Sequence, residues 1–223
     1  MVLRSRNNEN HWWRQRKTGD EPCQAAQKKQ EKESSMKVIA FNGSPRKDGN
    51  TNILMRRLLR EVEREGIETE LVQLSEKRIR GCVACFKCHE EQNRRCGIEN
   101  DALNEYIEKI VHAHGIILGS PVYFQDVTSE MKALIDRVGF VGLANGKMYR
   151  NKVGASIACF RRSGGMHTVD AMNHFFLSNE VIVAGRALGV AKERGDVEKD
   201  EEGMQAASTL GQKMAWLLKR LHP

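Results

Sequence analysis

The chain has 223 residues, 40% of them hydrophobic and 29% charged, an ordinary composition for one well-buried domain with a tail. No stretch approaches the eighteen apolar residues of a membrane span, and Met1–Asn10 lacks the apolar core of a secretory signal, so the chain reads as cytosolic. The formal charge is +7, of which residues 1–35, with eight Lys/Arg and five Asp/Glu, carry a net +3; no basic block of five follows, which argues against a nucleic-acid-binding stripe.

Residues 1–35 are polar, rich in Gln, Lys, Glu and Asn, and lack sustained periodicity. They are expected to be a disordered extension, dispensable for folding, with Met36 as a candidate start. Within it, Trp12 and Trp13 followed by Arg14, Arg16 and Lys17 give the only hint of nucleic-acid binding, and Cys23 has no assigned role.

From Met36 strands and helices alternate. Lys37–Phe41 is a short apolar run of buried-strand type. Leu54, Met55, Leu58, Leu59 and Val62 form one helical face. Thr69–Leu74 reads as strand two. Leu103, Ile107, Ile110 and Val111 mark the next helix, and Gly115–Gly119 strand three. Met131, Leu134, Ile135 and Val138 follow the i, i+3, i+4, i+7 pattern. Val153–Ala158 is strand four, His167–Leu177 a helix and Val181–Ala184 strand five. Ala207, Leu210, Met214, Leu217, Leu218 and Leu221 close the chain as an amphipathic helix. Five strands joined by crossovers predict an α/β fold, a parallel sheet with helices on both faces, in a single domain spanning 36–223.

Two loops carry chemistry. Strand one runs into Gly43-Ser44-Pro45-Arg46-Lys47-Asp48-Gly49-Asn50-Thr51 and then a helix, so free N–H groups are offered to an anion. Ser44, Asn50 and Thr51 add side-chain donors, Arg46 adds charge and Gly49 permits close approach. The loop is neither a Walker A sequence nor Gly-x-Gly-x-x-Gly; read alone, it is equally an ordinary polar loop with Asn50 or Thr51 as helix N-cap. Strand three ends in Gly119-Ser120-Pro121-Val122-Tyr123-Phe124, followed by Met131, Lys132, Asp136 and Arg137.

Taken together, Gly43–Arg46 with Gly49–Thr51, and Gly119–Tyr123 with Met131-Lys132 and Asp136-Arg137, resemble the NADPH-dependent FMN reductase family of flavodoxin-like proteins. The resemblance covers Met36 to about Leu221. It implies a flavodoxin-like three-layer sandwich, bound FMN, NAD(P)H as co-substrate, and a homodimer or homotetramer. By that likeness Ser44, Arg46, Gly49, Asn50, Thr51 and Asn52 hold the FMN phosphate, and Pro121, Val122, Tyr123 and Phe124 flank the ring. The loop Arg161-Arg162-Ser163-Gly164-Gly165 stands where the family has a third flavin loop, which makes Arg161, Gly164 and Gly165 candidates. Tyr123 and Phe124 suit a flat ring, and Arg161 or Arg162 near it would stabilise the reduced flavin.

Cys82, Cys85, Cys88 and Cys96 fall in fifteen residues, spaced C-x2-C-x2-C-x7-C. Four thiolates this close are able to ligate one iron–sulfur cluster, and in a reducing compartment clustered cysteines favour metal or redox chemistry over structural disulfides. Reduced or redox-active thiols and a zinc site remain open readings; His89 is a fourth-ligand candidate of poor steric reach. The resembling family has an iron–sulfur flavoprotein subset with a similar run, which implies a [4Fe–4S] cluster passing electrons to and from FMN, with a protein or small molecule as the outside electron partner. Cys159 is expected to be a core residue, His112 and His114 helix-end caps or solvated, and Glu90, Glu91, Arg94 and Arg95 a solvated surface.

Overall fold

The computed structural model describes residues 36–223. The extension expected at 1–35, its dispensability, Cys23 and the Trp12–Lys17 segment lie outside the described residues. Ser35–Pro223 forms one compact unit. Its strands are β1 (Lys37–Asn42), β2 (Glu68–Gln73), β3 (Gly115–Pro121), β4 (Val153–Phe160) and β5 (Ile182–Val190). Its helices are α1 (Asn50–Arg64), α2 (Lys87–Glu91), α3 (Leu103–His112), α4 (Ser129–Ala144), α5 (Gly165–Ser178) and α6 (Glu201–Leu221), with 3-10 turns at Leu74–Glu76 and Asp196–Lys199.

The five strands are parallel and ordered β2-β1-β3-β4-β5. This is the doubly wound flavodoxin-like order, whose chain reverses direction of winding between β1 and β3. Successive β1 residues serve opposite faces, as a strand's period of two requires. Ile39 and Phe41 enter a core with Leu103, Ile107, Met131, Leu134 and Val138; Val38 and Ala40 enter one with Leu54, Leu58, Leu210 and Met214. Helices α3, α4 and α5 thus cover one face, and α1 and α6 the other. Each such aliphatic side chain, taken from water, stabilises by about 1.5–3 kcal/mol.

At the switch point the ends of β1 and β3 meet without side chains between them. Gly43 N–H donates to the Gly119 carbonyl at 2.7 Å. A Cβ on Gly43 would stand 2.9 Å from Thr128 Oγ1, and one on Gly119 would collide with Met55 Sδ. The Thr128 hydroxyl caps α4, accepting from Met131 N at 3.3 Å, and donates to the Gly43 carbonyl at 2.9 Å.

Three details depart from the sequence reading. β5 runs to Val190, beyond the expected Ala184; as an edge strand it mixes buried and exposed residues, and it bulges at Ala184, with Gly185 at φ +151°, opposite Gly154/Ala155, so no continuous apolar run marks its second half. The five-residue α2 has no buried residue, hence no apolar stripe to announce it. His114 is not solvated: its ring packs on His222, centroids 4.8 Å apart, and its Nδ1 accepts from Lys37 N. Among the described residues, no helix is long and apolar enough to cross a membrane.

Candidate functional site

Loops at the carboxyl ends of β1, β3, β4 and β5 wall one pocket. It is lined by Ser44, Arg46, Gly49, Asn50, Thr51, Pro121, Val122, Tyr123, Cys159, Phe160, Arg161, Ala191 and Lys192, and holds about 210 Å³. Asn42 and Gln73 fix its floor: Asn42 Nδ2 donates to Gln73 Oε1 at 2.8 Å, Asn42 Oδ1 accepts from Ser44 N at 3.0 Å, and Gln73 Nε2 donates to the Ser44 carbonyl. The α1 N-cap is Gly49, neither Asn50 nor Thr51; it makes no side-chain cap, and no acidic residue stands in the first turn. The leading amides of α1 therefore face the pocket, with the positive end of the helix dipole behind them, an anion-binding arrangement.

The sequence candidates behave differently from one another here. Thr51 is 1% exposed and its hydroxyl bonds Cys159, whose thiol burial pushes up to about 12. Asn50 turns to the loop after β5: its Nδ2 donates to the Glu193 carbonyl at 2.8 Å and its Oδ1 accepts from Gly195 N at 2.8 Å. An Asp48–Arg194 ion pair joins the same two loops. Asn52 is buried and accepts from Arg56 Nε at 2.8 Å, outside the pocket lining. Tyr123 and Asp126 exchange backbone bonds around Phe124 and Gln125, both at positive φ, so Phe124 stands fully exposed at the loop tip and does not line the pocket. Gly164, at φ +84°, lies where a Cβ would meet Val122 Cγ1 at 2.7 Å, and Gly165 where one would meet the Phe160 ring. These glycines let the β4–α5 loop pack on its neighbours without lining the pocket. Lys192, Phe160 and Ala191 were missed because they sit beyond the expected end of β4 or β5. Cys159 had been read as core only; it is buried and also lines the pocket.

A second pocket gathers the cysteine run. Cys82, Cys85, Cys88 and Cys96 all line it, with Val83, Ala84, Phe86, Gly97, Ile98, Arg137, Phe140 and Val141. Cys82 and Cys85 are exposed, Cys88 half-buried and Cys96 buried, and none of the four forms a disulfide among the described residues. Among the described residues, no three His, Cys, Asp or Glu side chains stand in metal-holding geometry, so the sulfurs share walls without converging on one point. The donor set nonetheless suits a soft, anionic metal group. Its surroundings are apolar, Arg137 donates to Cys96 Sγ, and Ala84, at positive φ, donates its backbone N–H to Cys82 Sγ at 3.4 Å. Burial, then the neighbouring Cys96 and Cys85, raises the Cys88 thiol. His89 does not line the pocket; its ring lies 5.9 Å from that of Phe140. Glu90, Glu91, Arg94 and Arg95 are exposed, as expected.

With both pockets described, comparison with known proteins is direct. The model of the family described as NADPH-dependent FMN reductase matches residues 36–195. An iron–sulfur flavoprotein of Methanocaldococcus jannaschii is 41% identical over 194 residues, covering 82% of this chain and 98% of that protein. An iron–sulfur flavoprotein of Methanosarcina thermophila is 31% identical over 189 residues, covering 82% and 96%. Two solved structures share the fold. RosB with a bound intermediate has a TM-score of 0.70 at 17% identity, covering 84% of this chain and 80% of that one. An archaeal flavodoxin has a TM-score of 0.53 at 15% identity, covering 82% and 99%.

Proposed function

The chain belongs to the NADPH-dependent FMN reductase family and is an FMN-dependent oxidoreductase, and from that premise we propose that it is an iron–sulfur flavoprotein. In this reading it passes electrons between FMN in the first pocket and one [4Fe–4S] cluster held by Cys82, Cys85, Cys88 and Cys96. The observation that carries it is that all four cysteines of the run line one apolar pocket with a guanidinium on the innermost sulfur.

When bound, the flavin supplies hydride and single-electron exchange, and the cluster single-electron exchange. The chain's own residues bind and orient. The uncapped amides of α1, the Ser44 and Thr51 hydroxyls and the charges of Arg46 and Lys192 receive the phosphate. Pro121, Val122 and Tyr123 wall the ring, and Arg161 supplies positive charge beside it. No side chain acts as a nucleophile. The reading extends to NAD(P)H as hydride donor, a protein or small molecule as electron partner, a homodimer or homotetramer, a cytoplasmic location, and an FMN domain over 36–223 preceded by a dispensable extension.

Cys88→Ser in anaerobically purified protein tests it. Iron and acid-labile sulfide should disappear and FMN stay bound, read by metal and sulfide assays and the visible spectrum. Wild-type protein that carries FMN without iron would leave a cluster-free NAD(P)H-dependent reductase, and metal without sulfide would leave the zinc reading.

A further inference from the structure

Arg137 lies on α4, outside the cysteine run, and its side chain is fully buried. In the sequence it served only as half of Asp136-Arg137. Its Nε and Nη2 reach Cys96 Sγ at 3.4 and 3.3 Å. Its Nη1 donates to the Arg80 carbonyl at 2.9 Å and its Nη2 to the Ile98 carbonyl at 3.2 Å. Both Nη atoms also reach the Asp101 carboxylate. Arg80 stands two residues before Cys82, and Ile98 two after Cys96. One side chain therefore fastens both ends of the run to α4, while Asp101 accepts from Arg80 N at 3.2 Å and Leu103 N at 3.1 Å. A buried guanidinium is tolerated only when its planar fork is paired in this way.

We infer that Arg137 is the positioning residue of the cysteine site: it closes the loop and biases the potential of the group bound there through Cys96. The inference rests on the cluster reading above. Hydrogen bonds and charge at the ligand sulfurs set such potentials. A cation on one sulfur favours the more negative, reduced state; the Asp101 carboxylate tempers that effect. The two residues thus act with opposite sign, which a purely structural clamp would not do.

The test uses the full chain, purified without oxygen, as wild type, Arg137→Gln, Arg137→Lys and Asp101→Asn. The cluster midpoint is read by a redox titration followed by electron paramagnetic resonance, and backbone protection by hydrogen–deuterium exchange. Arg137→Gln should lower the midpoint and Asp101→Asn should raise it, each by about a tenfold change in the reduced-to-oxidised ratio, or about 59 mV for a one-electron couple. Arg137→Lys keeps the charge and loses the fork, so it should recover most of the potential and little of the protection. Amides of residues 80–101 should exchange at least about tenfold faster in both Arg137 variants, with residues 43–51 unchanged, since segments open locally and independently. Unchanged midpoints in both Arg137→Gln and Asp101→Asn, or wild-type protection of 80–101 in Arg137→Gln, would overturn the assignment. If Arg137→Gln fails to fold, Asp101→Asn decides alone: a midpoint that falls or stays put refutes it. Wild-type protein without iron would instead remove the cluster reading, and the exchange measurement would still judge the clamp.

Discussion

The first pocket, proposed above to hold FMN, is walled by loops that leave a strand of the sheet and fold back within a few residues, so the sheet itself fixes their backbones. The cysteine pocket is carried by residues between Glu76 and Leu103, which contain only the short α2 and depend on side chains from α3 and α4 for their position. A helix N-terminus, hydroxyls and the cations Arg46, Arg161 and Lys192 line the first pocket; four cysteines and one guanidinium line the second. On the function proposed above, the difference teaches that one end of the fold offers a site for a hard phosphate from its topology alone, whereas a site for a soft metal group has to be inserted and then held by dedicated contacts. If so, each pocket should be open to damage without the other.

The larger effect belongs to the flavin side. Thr51 is the second residue of α1, buried between Cys159 and the pocket. Thr51→Ala should raise the FMN dissociation constant ten- to a hundredfold, about 1.5–3 kcal/mol for a hydrogen bond to a charged acceptor. Riboflavin, which lacks the phosphate, should bind much as before. Fluorescence titration of apoprotein measures both, and iron content should be unchanged. A parallel loss of iron would break the comparison, since the pockets would then form one cooperative unit.

On the cysteine side, Asn104 of α3 imitates a strand partner for Cys96. Its Oδ1 accepts from Cys96 N at 2.8 Å, and its Nδ2 donates to the Cys96 carbonyl at 3.0 Å. Asn104→Ala would leave these buried backbone groups unpaired, at a cost of about 1–3 kcal/mol. Iron should be lost several-fold faster in air, with FMN affinity within about twofold of wild type, both followed in one absorbance time course. Flavin released along with the iron would count against separate supports.

How far these two regions were legible follows from the same contrast. Val38–Phe41, Ile116–Leu118 and Val153–Ala158 are central strands buried on both faces, and continuous apolar runs announce them. The motif at Gly43–Thr51 read alone was equally an ordinary polar loop, and only its pairing with Gly119–Tyr123 singled it out; the structure brings both segments to one pocket. Asn50 lines the pocket as expected, but its side chain also clamps the loop after β5, and only the long-range bonds to Glu193 and Gly195 show that second role. The cysteine spacing was visible, but Asn104 was not, and Arg137 stood out only as half of Asp136-Arg137: each lies in an ordinary helical pattern, and their bonds to Cys96 come from a distant segment folding onto them. Lys192 was hidden for a third reason, the alternating edge strand that precedes it.

The smallest expected effect sharpens the comparison by locating a change that should touch both pockets equally. At the amino ends of β1 and β3, the His114 and His222 rings pack edge to face, and the His222 Nε2 is buried without a hydrogen-bond partner among the described residues. Burial, then His222 and Lys152, lowers His114; burial, then Lys152, lowers His222; burial pushes Lys152 itself down to about 8. A histidine lowered on folding prefers to be neutral in the fold. Its contribution is complete above the ordinary value of 6.5 and is lost as pH falls through 6.5 toward the depressed folded value, below which nothing further changes. The thermal midpoint should therefore fall between about pH 7.5 and 5.5, and His222→Phe, which keeps a ring over His114 and removes one titrating group, should fall about 2 °C less. Because neither histidine lines either pocket, acid should loosen FMN and any bound iron in constant proportion. A variant with the wild-type slope would remove the histidine pair as the cause, and preferential loss of iron over FMN in this range would move the acid-sensitive element to the cysteine loop.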